Sequence, residues 1–208
     1  VKSESEFALD FLLKQLNVYL RPLGFKRFGR RFGRQTEECW QIIAVQTSRY
    51  SSSDSKNVTI NFGATSKTLM EFRGENIAKA PLDYTCPIRF GVREPFNPKD
   101  YWWTIRDEQS AMNAYNAIVS SLDSRDIAFL NSLQSDIGIL ELYNSNQVFG
   151  FQIDADETRL VLLGHLGQDK DASERLRHYE IDWVPTAAVE RAKRFLGSYR
   201  ATFVASNP

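Results

Sequence analysis

Arg89 and Arg93 stand two positions on either side of Gly91. In an extended strand, residues of equal parity emerge on one face, so this spacing sends both guanidinium groups outward over a residue with no side chain. Guanidinium forks pair bidentately with carboxylate or phosphate, and the chemistry implied is the holding of an anion. The competing reading is that both arginines pair with acidic residues of the same chain. Gln46, Ser48 and Arg49 end another extended stretch, and Asn61 lies in a third, so amides, a hydroxyl and a further guanidinium join the same polar patch. Trp102 and Trp103 follow Tyr101 and put large aromatics on both faces of a strand. One of the pair is expected in the core, and the other is free to line a binding surface.

A second constellation runs from Arg21 to Arg34. It holds Arg21, Lys26, Arg27, Arg30, Arg31 and Arg34 and no acidic residue, interleaved with Phe25, Phe28 and Phe32. Cations and rings together can grip and stack a nucleic acid. A solvated hairpin with its rings turned inward explains the same residues, and zero net charge over the chain places nucleic acid behind an anionic ligand or an acidic protein as partner.

Other chemistry is weakly supported. Gly63 to Thr68 sits where a phosphate loop would lie, but Asn61 and Ser66 occupy the positions that need glycine for backbone amides to wrap a phosphate. Cys39 and Cys86 have no second pair and read as buried thiols, without a disulfide framework or a zinc site. His165 lies among leucines and His178 stands on another segment, neither with a metal-ligand companion. Asp154 and Asp156 read as turn and capping residues. No nucleophile elbow is present, so no catalytic residue, metal or cofactor is assigned.

The 208 residues carry 26 Lys and Arg against 26 Asp and Glu. The distribution is lopsided: residues 1–106 hold 17 basic and 11 acidic residues, and residues 107–208 hold 9 and 15. Opposite fields favour docking of the halves, within a chain or between chains. No run approaches the roughly 18 apolar residues that cross a bilayer, and Val1 to Leu9 lacks the order of a signal peptide. The expectation is a cytoplasmic protein with no membrane partner.

These side chains need elements to position them. Ser3 and Glu6 have the spacing of a capping box, ahead of a helix with Phe7, Phe11, Leu12, Leu16, Tyr19 and Leu20 as its apolar stripe and Pro22 to Gly24 as its stop. Phe25 to Arg34 reads as a ribbon turning near Gly29, Cys39 to Arg49 as a strand, and Val58, Ile60 and Phe62 as the buried parity of its hairpin partner. A short helix over Ser66 to Arg73 precedes a strand with Cys86, Ile88, Phe90 and Val92 on one face, and Tyr101 to Ile105 is another strand. Helices are expected over Ala111 to Leu122, Arg125 to Leu133, Thr158 to Leu166, Ala172 to Tyr179 and Ala187 to Phe203, while Gln147 to Ile153 is strand or loop. The fold class is α+β: an N-terminal helix on an antiparallel sheet over 1–106, then a helical half over 107–208.

The succession Leu20, Arg21, Pro22, Leu23, Gly24, Phe25, Lys26, then Arg31 and Phe32, Trp40 to Gln46, Ser48, Arg49 and Val58 to Gly63 resembles the bacterial domain of unknown function 4304 family. Arg89, Gly91, Trp102 and Trp103 extend the resemblance over roughly residues 5–120. Cys86 and Pro87 depart from it, standing where a His or another polar residue belongs. The resemblance implies the same α+β architecture in a bacterial protein and supplies no chemistry. The leading expectation is a non-enzymatic binding or regulatory module that uses Gln46, Ser48, Arg49, Asn61, Arg89, Arg93 and one of Trp102 and Trp103. An enzyme acting on a phosphorylated or nucleic-acid substrate is the rival, and a toxin-neutralising or defence-associated partner protein is the third reading.

Overall fold

The computed structural model describes residues 2–92, 101–145, 151–152, 155–168, 170–174, 176, 189–190 and 192–197. Arg93, Asp154 and His178 lie outside the described residues, as do parts of the two last expected helices. Helix α1 (Glu4–Leu20) begins as its sequence requires, with the Ser3 hydroxyl accepting from the Glu6 amide and the Glu6 carboxylate accepting from the Ser3 amide at 2.9 Å. Its buried stripe is Ala8, Leu9, Leu12, Leu13, Leu16 and Leu20, whereas Phe7 is exposed. Phe7 precedes Leu9 by two residues, about 200° around the helix, and so points away from the sheet. A turn of tighter helix ends at Gly24, whose φ of 87° suits only a residue without a β-carbon.

Among the described residues one antiparallel sheet holds seven strands: β1 (Lys26–Phe28), β2 (Arg31–Gln35), β3 (Cys39–Thr47), β4 (Lys56–Ser66), β5 (Ile88–Gly91), β6 (Trp103–Ile105) and β7 (Phe151–Gln152). The order is β1-β2-β3-β4-β5-β7, with β6 also on β4. β4 is long enough to pair β5 through Asn61 to Ala64 and β6 through Lys56 to Val58 along the same edge. Gly29, with φ 65°, makes the β1–β2 turn where the ribbon reading placed it.

Each face follows from register. On the inner face Phe32 opposes Ile43, Ile43 opposes Phe62, and Phe62 opposes Phe90, all within the main core. The Phe62 and Phe90 rings stack at 4.6 Å, and Phe129 meets Phe90 edge-on at 4.8 Å. On the outer face Trp40, Ile42, Ala44, Met70 and Cys86 form a smaller core, with Ile77 and Ala80 packed on it. The segment before β5 is tied down there: the Trp40 indole donates to the Ile77 carbonyl at 2.8 Å and Arg31 to the Pro81 carbonyl at 3.0 Å. Cys86 therefore does not share a face with Ile88, Phe90 and Val92. It ends a helical turn (Asp83–Thr85) rather than lying in the strand, and fills the space a side chain at Gly63 would take: a β-carbon there would stand 2.8 Å from its sulfur.

Helices α2 (Lys67–Phe72), α3 (Glu108–Ser121), α4 (Ile127–Ser132), α5 (Asp136–Asn144) and α6 (Ala155–His165) complete the order, with a wide turn at Leu122–Asp126 joining α3 to α4. α5 went unread in the sequence because Gly138 weakens its first turn, although the Ser135 hydroxyl caps it by accepting from the Gly138 amide at 3.1 Å. The main core mixes residues of both halves. Polar ties join them as well. Buried Gln41 accepts from Arg34 and donates to the carbonyls of Leu130 and Leu133, Thr68 donates to Asp136 at 2.7 Å, and Arg73 pairs with Glu157 at 2.9 Å.

Both cysteines are free and buried, and burial pushes both thiols well above their ordinary range. Native protein at pH 8 is expected to leave Cys39 and Cys86 unmodified by Ellman's reagent, with both titrating once denaturant is added. Rapid modification of either thiol in native protein would contradict this placement.

Candidate binding face

Three rows of the outer face carry the expected residues. In the first, Lys26 opposes Gly33, Gly33 opposes Ile42, Ile42 opposes Gly63, and Gly63 opposes Arg89. In the second, Phe28, Arg31, Ala44, Asn61 and Gly91 follow one another across five strands. In the third, Gln46 opposes Thr59. Arg89 thus projects beside Asn61 as a diagonal neighbour, about 7 Å away in the sheet. It is half-buried, and it makes no ion pair with any described carboxylate. The Asp83 and Glu75 carboxylates lie near enough to raise the Cys86 thiol further, while Arg73 and Arg89 oppose them.

The other expected residues divide. Asn61 is buried and its amide donates to the exposed Gln46 carboxamide, which makes it a support that orients Gln46. Trp103 packs against the main core, and its ring meets Tyr101 at 4.8 Å. Trp102, of opposite parity, is the exposed member at 39%. Ser48 and Arg49 lie beyond the end of β3, level with Asn57 rather than Gly63, which puts them about 20 Å along the sheet from Arg89. Arg49 is engaged with Tyr50 there, donating to its hydroxyl at 2.7 Å and stacking over its ring. Arg89, Gln46 and Trp102 therefore share a face, and Arg49 stands apart.

A family model described as a domain of unknown function, DUF4304, matches residues 16–132, more than half of the chain. The chain belongs to the DUF4304 family. The matched stretch starts inside α1, runs through β1 to β6 and ends with α4, so the DUF4304 domain includes the outer face and crosses from the first half of the chain into the second. No curated protein and no solved structure matches the chain.

Lys26, Phe28 and Arg31 join the outer face of this DUF4304 domain although they were read only as part of a basic ribbon. Carrying alternation around the Gly29 turn would have found them, since Phe28 opposes Arg31. Thr59 also belongs here, buried with a hydroxyl that has no hydrogen-bond partner. A separate polar cluster lies between helices on the far side. Asp136 is buried and accepts from Thr68, and one of its oxygens stands 3.5 Å from His165 Nε2. No group of three or more His, Cys, Asp and Glu positioned to hold a metal occurs among the described residues, and no described helix is long and apolar enough to cross a membrane. The outer face of the DUF4304 domain carries cations, an oriented amide and exposed rings toward its margins, while Ile42, Ala44 and Gly63 at its centre are buried.

Proposed function

We propose that the protein is a non-enzymatic binding or regulatory module whose outer sheet face takes an anionic ligand or an acidic patch of a protein partner. The observation that supports this reading most is the Arg89 guanidinium, half-buried beside a polar row and unmatched by any described carboxylate. A guanidinium in partly desolvated surroundings binds a carboxylate or phosphate more strongly than one in open water, and Gly91 next to Asn61 contributes no side chain to obstruct it. Gln46, oriented by Asn61, adds a second polar group to the same face, two strands and four residues away from Arg89.

Isothermal titration with an oligoglutamate peptide tests the reading. The wild-type protein is expected to bind it, and Arg89→Glu to weaken binding by about tenfold or more, equivalent to about 1.4 kcal/mol. Arg49→Glu, remote from the face, is expected to change affinity less than threefold. Equal loss from both variants, or from neither, would count against the assignment.

A further inference from the structure

Along α1, Glu4, Phe7, Phe11, Lys14, Val18 and Arg21 follow one another at alternating steps of three and four residues, the spacing of a coiled-coil seam. At 100° per residue they fall within an arc of about 100°, centred opposite the buried stripe of Leu9, Leu12, Leu16 and Leu20. Arg21 keeps helical dihedral angles just past the last residue of α1, so it continues the seam. Phe7 and Val18 are exposed at 59% and 62%, and Phe11 is half-buried. Glu4, Lys14 and Arg21 are exposed and form no ion pair among the described residues. We infer that this seam pairs with the same seam of a second copy of the chain, α1 against α1 in opposite directions about a two-fold axis.

The order of the charges selects this occupant. The seam opens on an acid, passes through two rings, and closes on two cations around a valine. Reversed against itself, it places Glu4 against Arg21 of the other copy, Phe7 against Val18, and Phe11 against Lys14, and the two-fold axis makes each contact twice. Ion pairs close both ends, and an ammonium meets a ring on each side of the centre. A parallel pair would set Glu4 on Glu4, Lys14 on Lys14 and Arg21 on Arg21, which like-charge repulsion opposes. A lipid surface would take the apolar side chains but give that order of charges no role. Six side chains a copy fall short of the roughly 20–30 residues a side of a standard interface, so the dimer is weak, half-formed on the order of 100 μM. The chain is therefore monomeric at the low-micromolar concentrations of an unfolding titration. α1 packs on the inner-face core, so pairing through its far side leaves the outer sheet face around Arg89 uncovered in both copies, and the two assignments stand or fall separately.

Sedimentation equilibrium of the full chain from about 5 to about 500 μM tests this pairing. The average mass is expected to rise with concentration from 23.9 kDa toward twice that value. Phe7→Asp, at a site open to solvent in the monomer, is expected to raise the dissociation constant at least tenfold because each dimer carries the change twice. Glu4→Arg and Arg21→Glu are each expected to raise it about tenfold, and the two together to return it to within about threefold of wild type, a rescue that only the antiparallel arrangement gives. Unchanged helical circular dichroism in each variant shows that α1 is intact. A single species of 23.9 kDa at every concentration overturns the pairing. So does a dimer indifferent to Phe7→Asp, or one that the double exchange weakens as much as either single exchange.

Discussion

A chain ended after Arg106 is expected to lose cooperative unfolding altogether. Residues 1–106 supply α1, α2 and most of the sheet, but the inner face they build is closed by residues from beyond that point. Phe129 lies edge-on to Phe90, Tyr143 is buried and its hydroxyl donates to the Pro87 carbonyl at 3.1 Å, and Ile118, Leu130 and Leu160 are fully buried in the same core. Cutting there exposes the row Phe32, Ile43, Phe62 and Phe90 in part, and strips Gln41 of the Leu130 and Leu133 carbonyls. Each buried apolar side chain returned to water costs about 1.5–3 kcal/mol, so losing a handful exceeds the 5–15 kcal/mol that usually stabilises a domain. The check is a urea titration followed by circular dichroism: the full chain gives a sigmoidal transition and the truncated one a gradual drift. A sharp transition in the truncated chain would mean that the sheet half folds alone.

Phe62→Ala is the point substitution with the largest expected effect. Phe62 is fully buried on the central strand, flanked by Ile43 and Phe90 in register, with the Phe90 ring stacked on it at 4.6 Å. Removing the ring loses its transfer free energy and leaves a hole that rigid strands on both sides cannot close. The expected loss is about 3–5 kcal/mol. The same change at exposed Phe7 is expected to alter stability by about 0.5 kcal/mol or less. Denaturant midpoints at constant slope read the difference, and similar midpoints for the two variants would contradict the assignment of inner and outer faces.

Local signals carried much of the architecture. Ser3 and Glu6 marked the start of α1, Gly29 the ribbon turn, and the parity of Val58, Ile60 and Phe62 the buried side of β4, because capping and alternation act over a few residues. Features set by distant contacts were not legible. Cys86 fits the apolar parity of β5 on paper, yet it leaves that face because Gly63, 23 residues earlier, opens a space for its sulfur. Strand order is equally invisible to periodicity. Ser48 and Arg49 looked able to complete the patch of Arg89, but β4 intervenes and the register puts them at the far end of the sheet. Which tryptophan is exposed was left open by the sequence, and pairing of Trp103 with Val58 on the core side decides it. The charge asymmetry invited ion pairing of the two halves, yet among the described residues Arg73 with Glu157 is the one ion pair between them. Lys26 and Arg89 pair with no described carboxylate.

The outer sheet face around Arg89 is the surface proposed to receive the ligand. Backbone amide shifts recorded while oligoglutamate is titrated test this most directly. The largest shifts are expected at Arg89, Gly91, Asn61 and Gln46, with α1 and α3 unmoved. Shifts concentrated on α3, α5 or α6, with those strand amides unchanged, would show that recognition belongs to another surface.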